Sequence, residues 1–144
     1  MGKPVETCEE MKKLLILLAE SFEWLFSDYD FTIIHSEYSP SFGGEGLIRL
    51  TNSILRIDLI SDRDSAFLEF SPIGGWEVGE TVTYDLIREL LTDEICDETT
   101  ITASQIEFLR ANFKKIISLF ESPKTGETLK KIKTLKKERA KRLF

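Results

Sequence analysis

The sequence predicts an α+β fold built on an antiparallel sheet. Near both ends of the 144-residue chain, apolar residues recur at three- and four-residue spacing, which is typical of amphipathic helices. Between these segments, from residue 31 to residue 71, apolar and polar residues alternate as they do in half-buried strands. Because the strands follow one another instead of alternating with helices, we expect them to pair in antiparallel order.

The N-terminal helix is expected to begin near Thr7 and to run to about Phe26. The tetrapeptide Thr7-Cys8-Glu9-Glu10 has the form of a capping box, in which a hydroxyl and a carboxylate satisfy free amides at a helix start. The apolar positions share helical spacing and are Met11, Leu14, Leu15, Leu18, Phe22, Leu25 and Phe26. The polar residues 27–30 then interrupt the pattern.

Four strands are expected at residues 31–38, 47–51, 54–60 and 65–70. The glycine-rich residues 39–46 connect the first two. This segment leads into a strand and lacks the Gly-Lys pair of a phosphate-binding loop, so we interpret it as a hairpin connection. The later strands are joined by two-residue turns predicted at Asn52-Ser53 and Asp62-Arg63.

Two-residue turns fix a register for this meander. The predicted cross-strand pairs are Leu50–Leu55, Ile48–Ile57, Leu55–Phe70, Ile57–Leu68 and Leu59–Ala66. All of these side chains fall on one face, as a correct register requires, because a slip of one residue would turn every side chain over.

The C-terminal half predicts further helices. One is expected at residues 83–92, and a second follows Thr102-Ala103-Ser104-Gln105, which is another capping box, and ends before Pro123. We expect the N-terminal helix and the helix at residues 106–120 to cover the apolar face of the sheet. The opposite face is then free to meet water or a partner.

The polar face of the sheet is the candidate site. The predicted register places Arg49, Arg56 and Glu69 side by side, with Asp58 facing Phe67 one step along. One interpretation is a salt-bridge ladder that keeps this face soluble. The other is a recognition patch for an anion or a protein, since paired guanidinium groups beside a carboxylate and an aromatic ring are common at interfaces.

Other chemically notable residues stand alone in the sequence. His35 is the only histidine, and Cys8 and Cys96 match no zinc or redox spacing, so we expect no catalytic residue, metal site or cofactor. Asp62 and Asp64 flank a turn and are expected to dock a basic partner or to be simply solvated. Trp76, in a loop, is expected to be a half-buried lid or an interface anchor.

Charge divides the chain into two parts. From residue 124 to residue 144 there are nine Lys and Arg against two Glu, a net of +7. The whole chain carries −6, so residues 1–123 carry −13. We therefore expect one acidic α+β domain at residues 1–123 and a basic C-terminal tail at residues 124–144, either helical or disordered. The tail could fold back on the acidic body or contact nucleic acid.

The sequence indicates a soluble, cytoplasmic protein. Its longest apolar run, residues 14–18, is far shorter than the roughly 20 residues that cross a bilayer. This run follows four charged residues and precedes no small-residue cleavage site, so it is not a signal peptide. No membrane partner is expected.

Residues 24–76 resemble small bacterial immunity proteins of polymorphic toxin systems. The resemblance lies in a helix that ends on Phe-Ser-Asp-Tyr-Asp-Phe, then in Ser-Pro-Ser-Phe-Gly-Gly, Leu-Arg-Ile-Asp-Leu-Ile and an Asp-Arg-Asp turn. It implies a small, acidic, cytoplasmic α+β protein that blocks a cognate toxin. It assigns no functional residues.

These patterns favour a non-enzymatic module that binds a protein with a basic surface, in which case the contact residues are Arg49, Arg56, Asp58, Asp62, Asp64, Glu69 and Trp76. Complementary charge would steer such an encounter. One alternative is a regulatory or adaptor protein whose basic tail contacts nucleic acid or a larger complex. Another is an enzyme of unknown type. The sequence predicts no oligomeric state.

Overall fold

The computed structural model describes residues 5–39, 45–63, 65–73, 80–121 and 123–143, and of residues 5–8 only the backbone. The protein has the predicted α+β fold, with helices before and after an antiparallel sheet. In chain order the elements are α1 (Val5–Ser21), α2 (Glu23–Tyr29), β1 (Thr32–Ser39), β2 (Glu45–Thr51), β3 (Leu55–Asp62), β4 (Ser65–Pro72), β5 (Val82–Thr83), α3 (Tyr84–Thr92), α4 (Ala103–Phe120) and α5 (Thr125–Leu143).

The sheet is a meander in which the strands lie in chain order from β1 to β5. All four pairings are antiparallel. The fifth strand is absent from the sequence prediction. It has only two residues, which pair with Glu69 and Phe70, and so short a segment shows no period-two pattern.

The apolar face of the sheet is the one predicted. Leu55, Ile57 and Leu59 on β3 are buried, in one cluster with residues of α1, α3 and α4. Gly46 lies where α1 crosses β2, since a Cβ atom there would come within 3.1 Å of Leu14 Cδ1 and of Met11 Sδ. The helix therefore lies directly on the strand, and a larger residue at position 46 would push it away.

The first helix is divided, which the sequence prediction did not foresee. α1 begins at Val5, so Thr7 lies inside the helix and is not its cap. The chain turns at the buried Phe22 before α2 begins. This turn buries Trp24, whose indole Nε1 donates a hydrogen bond to the carbonyl of Ser21 at 2.9 Å.

The turn at Phe22 also completes an aromatic cluster around Phe113 of α4. The ring of Phe113 lies 5.1 Å from Trp24, 4.7 Å from Tyr29 and 5.9 Å from Phe31, in each case edge to face. Such pairs add about 0.5–1.5 kcal/mol each beyond their buried area.

The predicted cap of α4 is confirmed in part, because the Thr102 hydroxyl accepts a hydrogen bond from the Gln105 amide.

The predicted register is wrong by two residues in both hairpins. Leu50 pairs with Ile57 and Ile48 with Leu59, while Arg56 pairs with Thr51. On the other side of β3, Ile57 pairs with Phe70, Leu59 with Leu68 and Ser61 with Ala66. A shift of two residues keeps every side chain on its predicted face but changes its neighbours.

The turns explain the error. In the β2–β3 connection, Asn52 accepts hydrogen bonds through Oδ1 from the amides of Ile54 and Leu55, both at 2.9 Å. This side chain closes a wider loop than the predicted two-residue turn. In the β3–β4 connection, Asp62 pairs with Ser65, so the turn lies one residue later than predicted and begins at Arg63, which has a φ of 60°.

The basic C-terminal segment forms α5, which packs on α3 and α4. Ile132 is buried, and the Thr128 hydroxyl donates to the carbonyl of Leu119 at 2.6 Å. Arg139 donates to Asp85 and Glu89, two buried carboxylates of α3. Burial alone would lower the pKa of Arg139. Its hydrogen bonds to the two carboxylates raise the pKa by more than burial lowers it, so the pKa lies above its ordinary value. α5 is thus held to the domain by an apolar contact and by buried charge.

We predict that Ile132→Ala destabilises the protein by about 2–4 kcal/mol, because it leaves a cavity between α5 and the core. The exposed Lys130→Ala, on the same helix, should change stability by less than about 0.5 kcal/mol. Urea unfolding followed by circular dichroism measures both. Equal effects of the two substitutions would show that α5 is not packed on the domain.

Candidate functional site

The sheet has a second face, here called the outer face, formed by the side chains that alternate with the buried ones. The cross-strand pairing arranges these side chains in rows across the sheet. One row is Glu37, Leu47, Ile60 and Phe67, and the next is His35, Arg49, Asp58 and Glu69. Since the side chains of a row are direct neighbours, the rows define which groups can act together.

The first row places three apolar side chains side by side on the outer face. Leu47, Ile60 and Phe67 occupy adjacent positions on β2, β3 and β4, and each is partly exposed. Charged residues flank this apolar row on both sides, with Arg49 and Asp58 in one neighbouring row and Glu45 and Asp62 in the other. An apolar centre with a charged rim is typical of protein interfaces.

The second row contains the strongest polar contact of the face. Arg49 donates to both oxygens of Asp58, from Nε to Oδ1 at 2.8 Å and from a terminal guanidinium nitrogen to Oδ2 at 3.1 Å. Such a two-point contact is stronger and better oriented than a single hydrogen bond. The side chain of Asp58 is only 8% exposed, so this carboxylate is held beneath its neighbours.

Arg56 approaches the same carboxylate from along β3. Its Nε lies 3.9 Å from Asp58 Oδ1, which is an ion-pair distance but too long for a hydrogen bond. The hydrogen bonds that Arg49 donates to Asp58 raise the pKa of Arg49 above its ordinary value, although partial burial opposes this. Asp58 therefore neutralises part of the charge of two arginines that would otherwise repel each other.

At the β1 end of the row, the exposed His35 lies beside Glu37. Its Nε2 is 2.7 Å from Glu37 Oε1. Within the described residues no group of three or more His, Cys, Asp and Glu is placed to hold a metal ion.

The outer face is acidic. Its described side chains include five carboxylates, those of Glu37, Glu45, Asp58, Asp62 and Glu69. Only two guanidinium groups, those of Arg49 and Arg56, balance them. With His35 neutral the net charge is −3, which favours a ligand with positive charge.

A cavity of about 150 Å³ opens on this face near β1. Leu47 and Ile60 provide apolar lining, and Glu37, Glu45 and Asp58 provide carboxylates. The volume is too small for most organic ligands, which occupy roughly 300–1,000 Å³. It is better suited to a side chain of a bound protein.

The predicted contact residues are only partly brought together. Arg49, Arg56, Asp58 and Glu69 do share the outer face, and Asp62 lies at its end. The predicted alignment of Arg49 with Arg56 is wrong, because Asp58 lies directly opposite Arg49 and also opposite Glu69. Asp64 and Trp76 lie outside the described residues.

The sequence interpretation missed the apolar row and the acids near β1. Leu47 and Ile60 occupy outward positions of their strands, where polar residues are usual, and this was the available signal. The two-residue turns expected from the sequence set Phe67 opposite Asp58, whereas Phe67 pairs with Ile60. The sequence sets no register for the first hairpin, so it does not place Glu37 and Glu45 beside the apolar row.

Comparison of the chain with protein-family models, with curated proteins and with solved structures finds no match. In the described part of the chain, every helix is too short or too polar to cross a membrane.

We predict that Arg49→Ala destabilises the protein by about 2 kcal/mol, because it removes two charge-assisted hydrogen bonds and leaves Asp58 buried without them. Arg56→Ala is the matched control. It removes a longer contact on the same carboxylate and should cost less than about 1 kcal/mol. Unfolding in urea compares the two. An equal or reversed order would contradict the geometry described for Asp58.

Proposed function

We propose that this chain is a non-enzymatic protein-binding module whose outer face binds a protein with a basic surface. The observation that carries the proposal is the partly exposed apolar row of Leu47, Ile60 and Phe67 between two rows of charged residues. Apolar groups of this kind supply binding energy when a partner excludes water from them, and the charged rim selects the partner.

The charge of the face supports a basic partner. Glu37 and Glu45 are both exposed, and they line the cavity beside the apolar row. An incoming lysine or arginine would place its alkyl chain against Leu47 and Ile60 and its charge near these carboxylates. The net charge of −13 on residues 1–123 would also speed the encounter at low salt.

The proposed partner is a toxin, as the resemblance of residues 24–76 to immunity proteins implies. An immunity protein must bind tightly without catalysing a reaction, and a broad, preformed sheet face suits that task because little order is lost on binding. The proposed function is therefore neutralisation of a basic toxin by occlusion.

The test is affinity capture from the native host at low salt. We predict that the wild-type chain retains a basic protein, which is released by rising salt. The double substitution Glu37→Lys with Glu45→Lys should reduce retention at least tenfold. Expression of the retained protein alone should stop growth, and the wild-type chain should restore growth where the double variant does not.

The matched control is Glu94→Lys with Glu98→Lys. These two exposed residues lie in the connection between α3 and α4, and the substitution changes the net charge by the same amount. The control should bind as the wild type does. Loss of binding in both variants would mean that overall charge and not the outer face attracts the partner. If the wild-type chain captures no protein, the proposed function is wrong.

A second candidate function, contact with nucleic acid, is supported by α5. Lys130, Lys137 and Lys141 are exposed and are spaced by seven and four residues, so they lie along one side of the helix. None of the three forms an ion pair with another described residue. Such a row could follow a phosphate backbone.

Substitution is a better test of this candidate than deletion of residues 124–144, because removal of α5 would expose the core around Ile132. If α5 binds nucleic acid, Lys137→Glu with Lys141→Glu should weaken binding of duplex DNA by at least tenfold and reduce its salt dependence. Lys114→Glu with Lys115→Glu on α4 is the control for net charge. Fluorescence anisotropy over a salt series measures both, and equal losses would contradict a site on α5.

A further inference from the structure

The free edge of the sheet is unusually exposed. β1 pairs with β2 alone among the described strands, and its residues from Thr32 to Glu37 are all exposed. Two of them are isoleucines, Ile33 at 49% and Ile34 at 54% exposed. Natural proteins usually protect such edges, because their free backbone groups can pair with another strand. β1 has one such protection, a bulge between Ile33 and His35, and it pairs regularly with β2 beyond that bulge.

We propose that β1 pairs in antiparallel order with β1 of a second copy of this chain, about a two-fold axis at Ser36. The two five-stranded sheets would then form one continuous sheet. This contact does not depend on the proposed binding of a basic protein, although Glu37 belongs to both surfaces. A two-fold axis closes the assembly, so a dimer and not a fibre results.

The pairing at Ser36 is self-complementary. Ser36 would face Ser36 of the second copy, and His35 would face Glu37 of the second copy. His35 already lies 2.7 Å from Glu37 of its own chain. The two histidines and two glutamates would therefore alternate at the corners of a square, each beside a group with which it can form a hydrogen bond. Ile34 lies at the bulge of β1, next to this regular pairing, and would pack near Tyr38 of the second copy.

Other registers lack this complementarity. Directly opposed residues of antiparallel strands share a face, so the axis must pass beside a residue and not between two residues. An axis at His35 would oppose the two histidines and would place Glu37 against Ile33. An axis at Glu37 would oppose two carboxylates, which is destabilising. Of these three axes, charge complementarity favours the one at Ser36.

Helix α1 adds apolar surface on the same side of the dimer. It crosses the inner face over β1, β2 and β3. Leu15 and Ile16 are 51% and 44% exposed, although they belong to a helix that packs on the core. Lys13 and Leu17 line a cavity with Ser65 at the start of β4. Helical spacing places Leu15 on the opposite side of α1 from these two residues, which is the side nearer β1. Pairing of the edges would bring Leu15 of the two copies nearer to each other.

The first test is a disulfide across the axis. Directly opposed Cα atoms in antiparallel strands lie about 4.5–5.5 Å apart, which suits a disulfide. With Cys8 and Cys96 replaced by serine, Ser36→Cys should give a covalent dimer under mild oxidation. Ser104→Cys, at an exposed position on α4, should remain monomeric. Failure of Ser36→Cys to form a dimer, or equal yields from both variants, would overturn the proposal.

The second test measures self-association without new cysteines. In sedimentation velocity the wild-type chain should shift from monomer to dimer with rising concentration. Ile34→Lys should weaken this association at least about tenfold, because it would bring an ammonium group into the contact near Tyr38 of the second copy, where the wild type has an apolar side chain. Ile95→Lys, at another exposed isoleucine, should associate as the wild type does.

A wild-type chain that stays monomeric at all concentrations would overturn the dimer, and so would undiminished association of Ile34→Lys. Retention of the basic protein by Ile34→Lys would show that the proposed function holds independently of the dimer. If Glu45→Lys no longer retains the basic protein but self-associates normally, the site for the basic protein and the dimer contact can be disrupted independently.

Discussion

The fold's polar side depends on one carboxylate, that of Asp58 in the central strand. It binds Arg49 of β2 at two points and lies within ion-pair distance of Arg56. Arg49 and Arg56 lie on neighbouring strands. Without an acid between them, their charges would be uncompensated near a low-dielectric core. Asp58 thus holds both arginines on the outer face. The same strand pairing that sets Asp58 opposite Arg49 also sets Leu47, Ile60 and Phe67 side by side.

The sequence determines the faces of the sheet more readily than its rows. Burial of Leu55, Ile57 and Leu59 follows from alternation alone, because polar neighbours occupy the intervening positions. The row positions depend on turn geometry, and there the side chain of Asn52 closes a wider loop than its position in the sequence suggests. The break at Phe22 was equally hidden, because the apolar spacing continues through it. The sequence does not decide between helix and disorder for α5, because its apolar stripe is thin and Arg139 gives no local signal of its distant partners Asp85 and Glu89.

The domain separates opposite charges on its surface. Its outer face has a net charge of −3, whereas most lysines of α5 point into solvent on a helix that packs against α3 and α4. Buried pairs between Arg139 and α3 connect this basic helix to the acidic body and account for only part of its charge. Such a separation favours an oriented encounter with a partner. The same charge reversal can also be made at another surface, so that two variants of equal net charge can be compared.

The most direct test of binding through the outer face is site-specific photo-cross-linking to the captured basic protein. Phe67 lies in the apolar row of the outer face and can be replaced by benzoylphenylalanine, which keeps the phenyl ring and adds a photoreactive benzoyl group. The exposed Ala111 of α4 gives a matched position elsewhere on the surface. Binding through the outer face predicts a cross-linked adduct from position 67 and none from position 111. An adduct from position 111 alone, or from neither position while the partner remains bound, would contradict it.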